Sequence, residues 1–142
     1  MNPRIRFFTE EVDYIFKGKI KTRQWLKNVI TEEMKITGTI NIVFCNDSSL
    51  FNLNKTYLKH TTLTDIITFP FPDSRNRISG DIFISIERVR ENATEFKQQF
   101  INELNRVMVH GILHLLGYQD KNKNEKLLMI AKEDYYLKKW NI

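Results

Sequence analysis

Residues 66–86 read IITFPFPDSRNRISGDIFISI. Two runs of β-branched and aromatic residues flank a polar centre, and their reading decides the fold. Ile66 to Phe71 predicts a strand, ended by Pro70 and Pro72. Gly80 to Ile86 predicts another, and Ser74 to Ser79 is a polar loop between them. The span Asp73 to Gly80 therefore reads as a hairpin-type connection that makes the two strands neighbours.

Upstream, the pattern alternates. Ile5 to Phe8 fits a short strand. Thr22 to Lys35 carries apolar residues at 25, 26, 29, 30 and 34, the spacing of an amphipathic helix, and Gly38 offers a stop. Thr39 to Cys45 is β-branched and bounded by Gly38 and Asn46-Asp47, so it predicts a strand. Asp47 or Ser48 then offers a cap for a helix running to about Leu58. Downstream the period becomes helical: Ser85 to Lys97, Gln99 to Leu116 and Asn124 to Leu137. Strand, helix, strand, helix, strand pair and helices predict an α/β (α+β) fold. Its small mixed sheet of about four strands packs with about five helices in one domain, residues 1–142.

The 142 residues suit a single core, and the net charge of +5 with a pI near 9.3 favours a polyanionic partner such as RNA. Cys45 is the sole cysteine, so no disulfide forms within the chain, and its apolar run INIVFC marks it as a small core residue. A reducing compartment fits this usage. The N-terminal MNPRIRFFTEEVDYIF lacks a signal peptide's apolar core, and no window reaches the length of a membrane span. These features together predict a cytoplasmic protein.

The helix 99–116 holds the chemistry. Residues 110–120 read HGILHLLGYQD. Histidines four apart lie one above the other on a helix, so His110 and His114 can face one ion. Gly117 suits the left-handed residue that ends a helix, and Asp120 follows the turn. Two histidines and a carboxylate with an open fourth position form the pattern of a catalytic zinc site; a closed structural site would need a fourth protein ligand. The alternative is two histidines satisfied within a core, with Asp120 a turn residue or cap. Gly111 occupies the place that a zinc peptidase of the H-E-x-x-H type gives to its general base, which disfavours that chemistry.

The block HGILHLLGY with Asp120 resembles the YbeY family of single-strand-specific metallo-endoribonucleases, whose motif is H-G-x-L-H-L-x-G-Y followed by a third ligand. NKTYLKHTTLTDIITFPF, GDIFIS at 80–85 and the pair Met129 and Glu133 resemble further blocks of that family. The resemblance implies a small mixed sheet with helices around it, and His110, His114 and Asp120 as ligands of one zinc ion. It also implies endoribonuclease activity in ribosomal RNA processing at the 3′ end of small-subunit rRNA, and in ribosome quality control. RNA and the ribosomal particle are the implied partners, rather than DNA or a membrane.

Two departures stand out. Most members have histidine as the third ligand, and a carboxylate there suits iron or manganese as well as zinc. The family's usual arginine after the tyrosine is Leu58, with Lys59 beside it as a point charge. Lys59, Arg75, Arg77 and Arg106 are candidates for phosphate contacts. Asp65 and Asp81 are candidates for orienting a ligand imidazole. A metal-dependent hydrolase of another class and a non-catalytic ribosome-assembly factor remain the competing expectations.

Overall fold

The computed structural model describes residues 3–58 and 64–141. Its order is β1 (Ile5–Thr9), α1 (Lys19–Glu32), β2 (Ile36–Cys45), α2 (Asp47–Leu53), a π-helical turn (Asn54–Leu58), β3 (Ile66–Phe71), β4 (Arg77–Ser85), α3 (Ile86–Glu95), α4 (Phe100–Leu115) and α5 (Lys123–Lys138). A final 3-10 turn covers Lys139–Asn141. The four strands form one mixed sheet in the order β1-β2-β4-β3. β1, β2 and β4 run parallel, and β3 pairs antiparallel with β4, placing Phe69 opposite Asp81. The hairpin read from residues 66–86 is therefore present, on an otherwise parallel sheet.

Alternation along β4 sorts the two faces. Ile78, Gly80, Ile82 and Ile84 point to the face that α4 covers: a Cβ on Gly80 would stand 2.8 Å from Leu115, and one on Gly111 would stand 2.9 Å from Ile66 and 3.0 Å from Ile82. The absence of a side chain at 111 lets α4 lie close against the sheet. Ile40, Ile42, Phe44, Ile82 and Ile84 meet Leu26, Ile30, Leu104, Met108 and Ile112 in the main core, all fully buried. On the opposite face Cys45, Leu50 and Ile67 pack with Phe69 and Phe83. Burial, with Glu10 and Asp47 nearby, pushes the Cys45 thiol up to about 12, so it remains a protonated core group.

Several boundaries differ from the expectation, each for a local reason. α1 starts at Lys19 after Gly18, which has φ 83°, and stops at Glu32. Met34, with φ 64°, reverses the chain, while the Lys35 amide donates to the Ile30 carbonyl. Gly38 is thus not the stop. It lies inside β2, where a Cβ would collide with Ser79 Oγ and stand 2.5 Å from the Ile78 carbonyl. The α2 cap is Asn46, whose Oδ1 accepts from the Ser49 amide at 2.8 Å. Asp47 turns instead to Ser85 Oγ (2.6 Å) and Arg88 (2.8 Å), tying α2 to α3. β4 begins three residues early because Arg77 and Ile78 find partners in Ile36 and Thr37 of β2.

Candidate metal centre

α4 presents Glu103, Val107, His110 and His114 along one stripe at steps of four, three and four residues. Met108, Val109, Ile112 and Leu113 fill the buried sides of the helix, and the stripe borders them, with Val107 buried and both histidines half-buried. Gly117, with φ 107°, follows the helix, and the Tyr118 amide donates back to the Leu113 carbonyl at 3.0 Å. That turn returns Asp120 towards the helix.

The three side chains converge. His110 Nε2 and His114 Nε2 are 3.0 Å apart, and Asp120 Oδ2 lies 3.3 Å from His114 Nε2 and 3.4 Å from His110 Nε2. These are edges of a near-equilateral triangle. Ligands at about 2.0–2.1 Å around a tetrahedral zinc stand about 3.3 Å from one another, so the spacing fits one ion. Among the described residues this is the one cluster of three such groups.

Glu133 of α5 settles the tautomer. Its Oε2 lies 2.5 Å from His110 Nδ1, so that nitrogen carries the proton and donates it to the carboxylate. Nε2 is left as a lone pair directed at the triangle. His114 Nε2 and an Asp120 oxygen within 3.4 Å crowd that lone pair unless a cation or proton lies between them. Arg106 steadies Glu133 through Oε1 (2.8 Å) and also holds Asp134 (2.6 Å). Burial pulls His110 down, but the hydrogen bond and charge of Glu133, with Asp120 and Asp65 behind it, leave its pKa above the ordinary histidine value.

A raised folded-state pKa stabilises the metal-free chain below the unfolded value of about 6.5. That contribution is lost as pH rises through the higher folded value. A metal competes with the same proton at Nε2, so its affinity rises over that interval. Thermal melts with and without zinc should therefore diverge as pH rises above about 6.5. Parallel pH trends for the two forms would contradict the assignment of Nε2 as a ligand.

A cleft of about 380 Å³ opens beside the triangle, lined by Asp65, Ile66, Glu103, Arg106, Val107, His110, Asp120, Lys126, Met129, Ile130 and Glu133. Asp65 lies on its wall, and burial raises its carboxyl above the usual range against the opposing field of His110. Asp81 is placed elsewhere. It alternates with Gly80 and Ile82, points to the face away from α4, and accepts from Asn41 Nδ2 at 2.9 Å. Arg75 and Arg77 are exposed in and beside the β3–β4 turn and do not line the cleft. Lys59 lies outside the described residues, as does the Leu58 side chain. Lys126, exposed at the first turn of α5, is a cation on the cleft that lies outside the sequence motifs.

A second cluster holds the ligand turn in place. Glu33, next to the end of α1, accepts from Tyr118 Oη (2.5 Å), Lys132 Nζ (3.1 Å) and Tyr136 Oη. Burial alone would raise its pKa, but these hydrogen bonds hold it below the usual carboxylate value. A lowered pKa stabilises the fold above the unfolded value and is lost as pH falls through the folded one. Glu33→Ala should destabilise the chain by about 2 kcal/mol at neutral pH, with the difference shrinking in acid. Because Tyr118 sits two residues before Asp120, the same change should weaken metal binding. Urea melts and chelator competition would measure both, and unchanged metal affinity would separate Glu33 from the site.

The family model described as Endoribonuclease YbeY matches residues 8–141. The Endoribonuclease YbeY of Flavobacterium psychrophilum is 47% identical over 135 residues, 95% of this chain and 96% of that protein. That of Amoebophilus asiaticus is 41% identical, over 94% of this chain and 90% of the relative. A solution structure of a protein from Thermotoga maritima superposes with a TM-score of 0.65 at 30% identity, covering 96% of this chain and 88% of that one. Its sequence, its mixed sheet and its length agreement with these relatives place the chain in the YbeY family of endoribonucleases.

Proposed function

We propose that the chain is a zinc-dependent endoribonuclease, specific for single strands, that trims the 3′ end of small-subunit rRNA and serves ribosome quality control. The observation that carries the metal reading is the triangle of His110 Nε2, His114 Nε2 and Asp120 Oδ2, with edges of 3.0–3.4 Å. Its donor set leaves room for a fourth ligand. Bound there, a divalent cation supplies Lewis-acid polarisation of a phosphate and lowers the pKa of a coordinated water.

The chain's own groups supply the rest. Glu133 holds the Nδ1 proton of His110 and so keeps Nε2 available. Arg106, held by Glu133 and Asp134, lines the cleft, and Lys126 is the cation there that would meet the RNA backbone. Asp65 lies on the cleft wall with its carboxyl raised above the usual range by burial, and is our candidate for the group that exchanges a proton there.

The peptidase alternative meets a steric obstacle. Position 111 faces the sheet, where even a Cβ presses on Ile66 and Ile82, so no glutamate can reach solvent from there. The deciding assay incubates the zinc-loaded chain with a single-stranded rRNA 3′ extension, the same sequence as a duplex, and casein. Cleavage of the single strand alone is expected. Proteolysis, or a duplex cut equally fast, would overturn the proposal. So would normal ribosome maturation in cells whose sole copy carries a folded His114→Ala chain.

A further inference from the structure

The end of the cleft away from the histidines holds a feature that phosphate chemistry does not need. Glu103 is 7% exposed, lines the cleft, and receives no hydrogen bond from the described residues. The neighbouring cation, Arg106 on the next turn, is committed to Glu133 and Asp134. Burial and the nearby carboxylates of Asp65 and Glu133 disfavour its charged form, so a ligand that donates to it would relieve that cost. Ile66, Val107, Met129 and Ile130 give the cleft an apolar wall beside its charged groups. An apolar wall with a few placed polar groups is the form of a small planar-ligand site.

The spacing suits a nucleobase. Glu103 and His110 are seven residues apart on one helix, about 10.5 Å along its axis, comparable to the reach of a nucleotide from phosphate to base edge. Guanine alone among the four RNA bases presents two adjacent N–H donors, at N1 and N2, that one carboxylate can accept together. Adenine and cytosine set a ring acceptor beside their amino group, and uracil flanks its single N–H with carbonyls. We infer that Glu103 forms a guanine subsite, binding N1–H and N2–H of a base between Val107, Met129 and Ile130 while the adjoining phosphate lies at the metal triangle. This rests on the endoribonuclease reading and adds a sequence preference to it.

The test is equilibrium binding, by fluorescence anisotropy, of 2′-O-methyl pentamers UUGUU, UUIUU, UUAUU and UUUUU to the zinc-loaded full chain. The G pentamer should bind about tenfold tighter than the A and U pentamers, with inosine, which lacks the N2 amino group, in between. Glu103→Leu should abolish the preference, so that UUGUU and UUUUU bind alike, with circular dichroism confirming that the variant folds. Glu103→Gln keeps the volume but opposes one guanine donor with an NH2, so it too should lose most of the preference. Equal wild-type affinity for G and U, or a preference that survives in either folded variant, would overturn the subsite. Binding is measured apart from cleavage, so failure of the nuclease assay would be distinguishable from failure of this inference.

Discussion

His114→Ala is expected to weaken zinc binding by more than about a hundredfold and to reduce RNA cleavage to background. Changes to groups that merely support a ligand lower affinity by about 10–100-fold, and loss of a ligand itself must exceed that. Only His110 Nε2 and Asp120 would remain to hold the ion, and Asp120 is partly exposed on a turn. The fold should survive, because His114 lies at the half-buried end of α4 and contributes little to the main core. In wild-type protein, added zinc should raise the melting temperature in proportion to the logarithm of its concentration; in the variant that response should vanish. Circular dichroism, melts with and without zinc, and a chelator titration measure the three effects. Full zinc affinity in a folded variant would remove His114 from the ligand set.

The second large effect is expected at Glu133, a residue that need not touch the ion. Glu133→Ala removes the acceptor of the His110 Nδ1 proton and one of the two carboxylates of Arg106. Zinc affinity should fall about 10–100-fold, and stability by about 2 kcal/mol, since charge-assisted hydrogen bonds are lost at a 5% exposed position. Glu133→Gln keeps an acceptor oxygen and the volume but not the charge. It should recover most of the stability, while His110 protonates at lower pH and zinc competes better in mild acid. If both variants bound zinc as the wild type does, the Glu133–His110 contact would be structural only.

How much was legible follows from the range of the interactions. The strand pair at 66–86 and the helix 99–116 were readable because alternation and 3.6-residue periodicity are local. The histidine pair was readable for the same reason, since both ligands share one helix. Glu133 carried only the family resemblance of Met129 and Glu133, because its meeting with His110 depends on how α5 crosses α4. The Glu33 cluster spans 85 to 103 residues and has no local signature. Asp81 was open to a better reading: alternation with Gly80 and Ile82 already puts it on the face opposite α4. Gly38 and Met34 show the converse, where a left-handed methionine ends α1 and the glycine serves close strand packing instead.

The central claim is that His110, His114 and Asp120 hold one divalent ion. Crystals of the zinc-loaded chain, with anomalous differences collected on both sides of the zinc edge, test it most directly. A single strong peak is expected within about 2.0–2.2 Å of His110 Nε2, His114 Nε2 and an Asp120 oxygen, with Glu133 still on Nδ1. A peak elsewhere, or none between these three groups at saturating zinc, would contradict it.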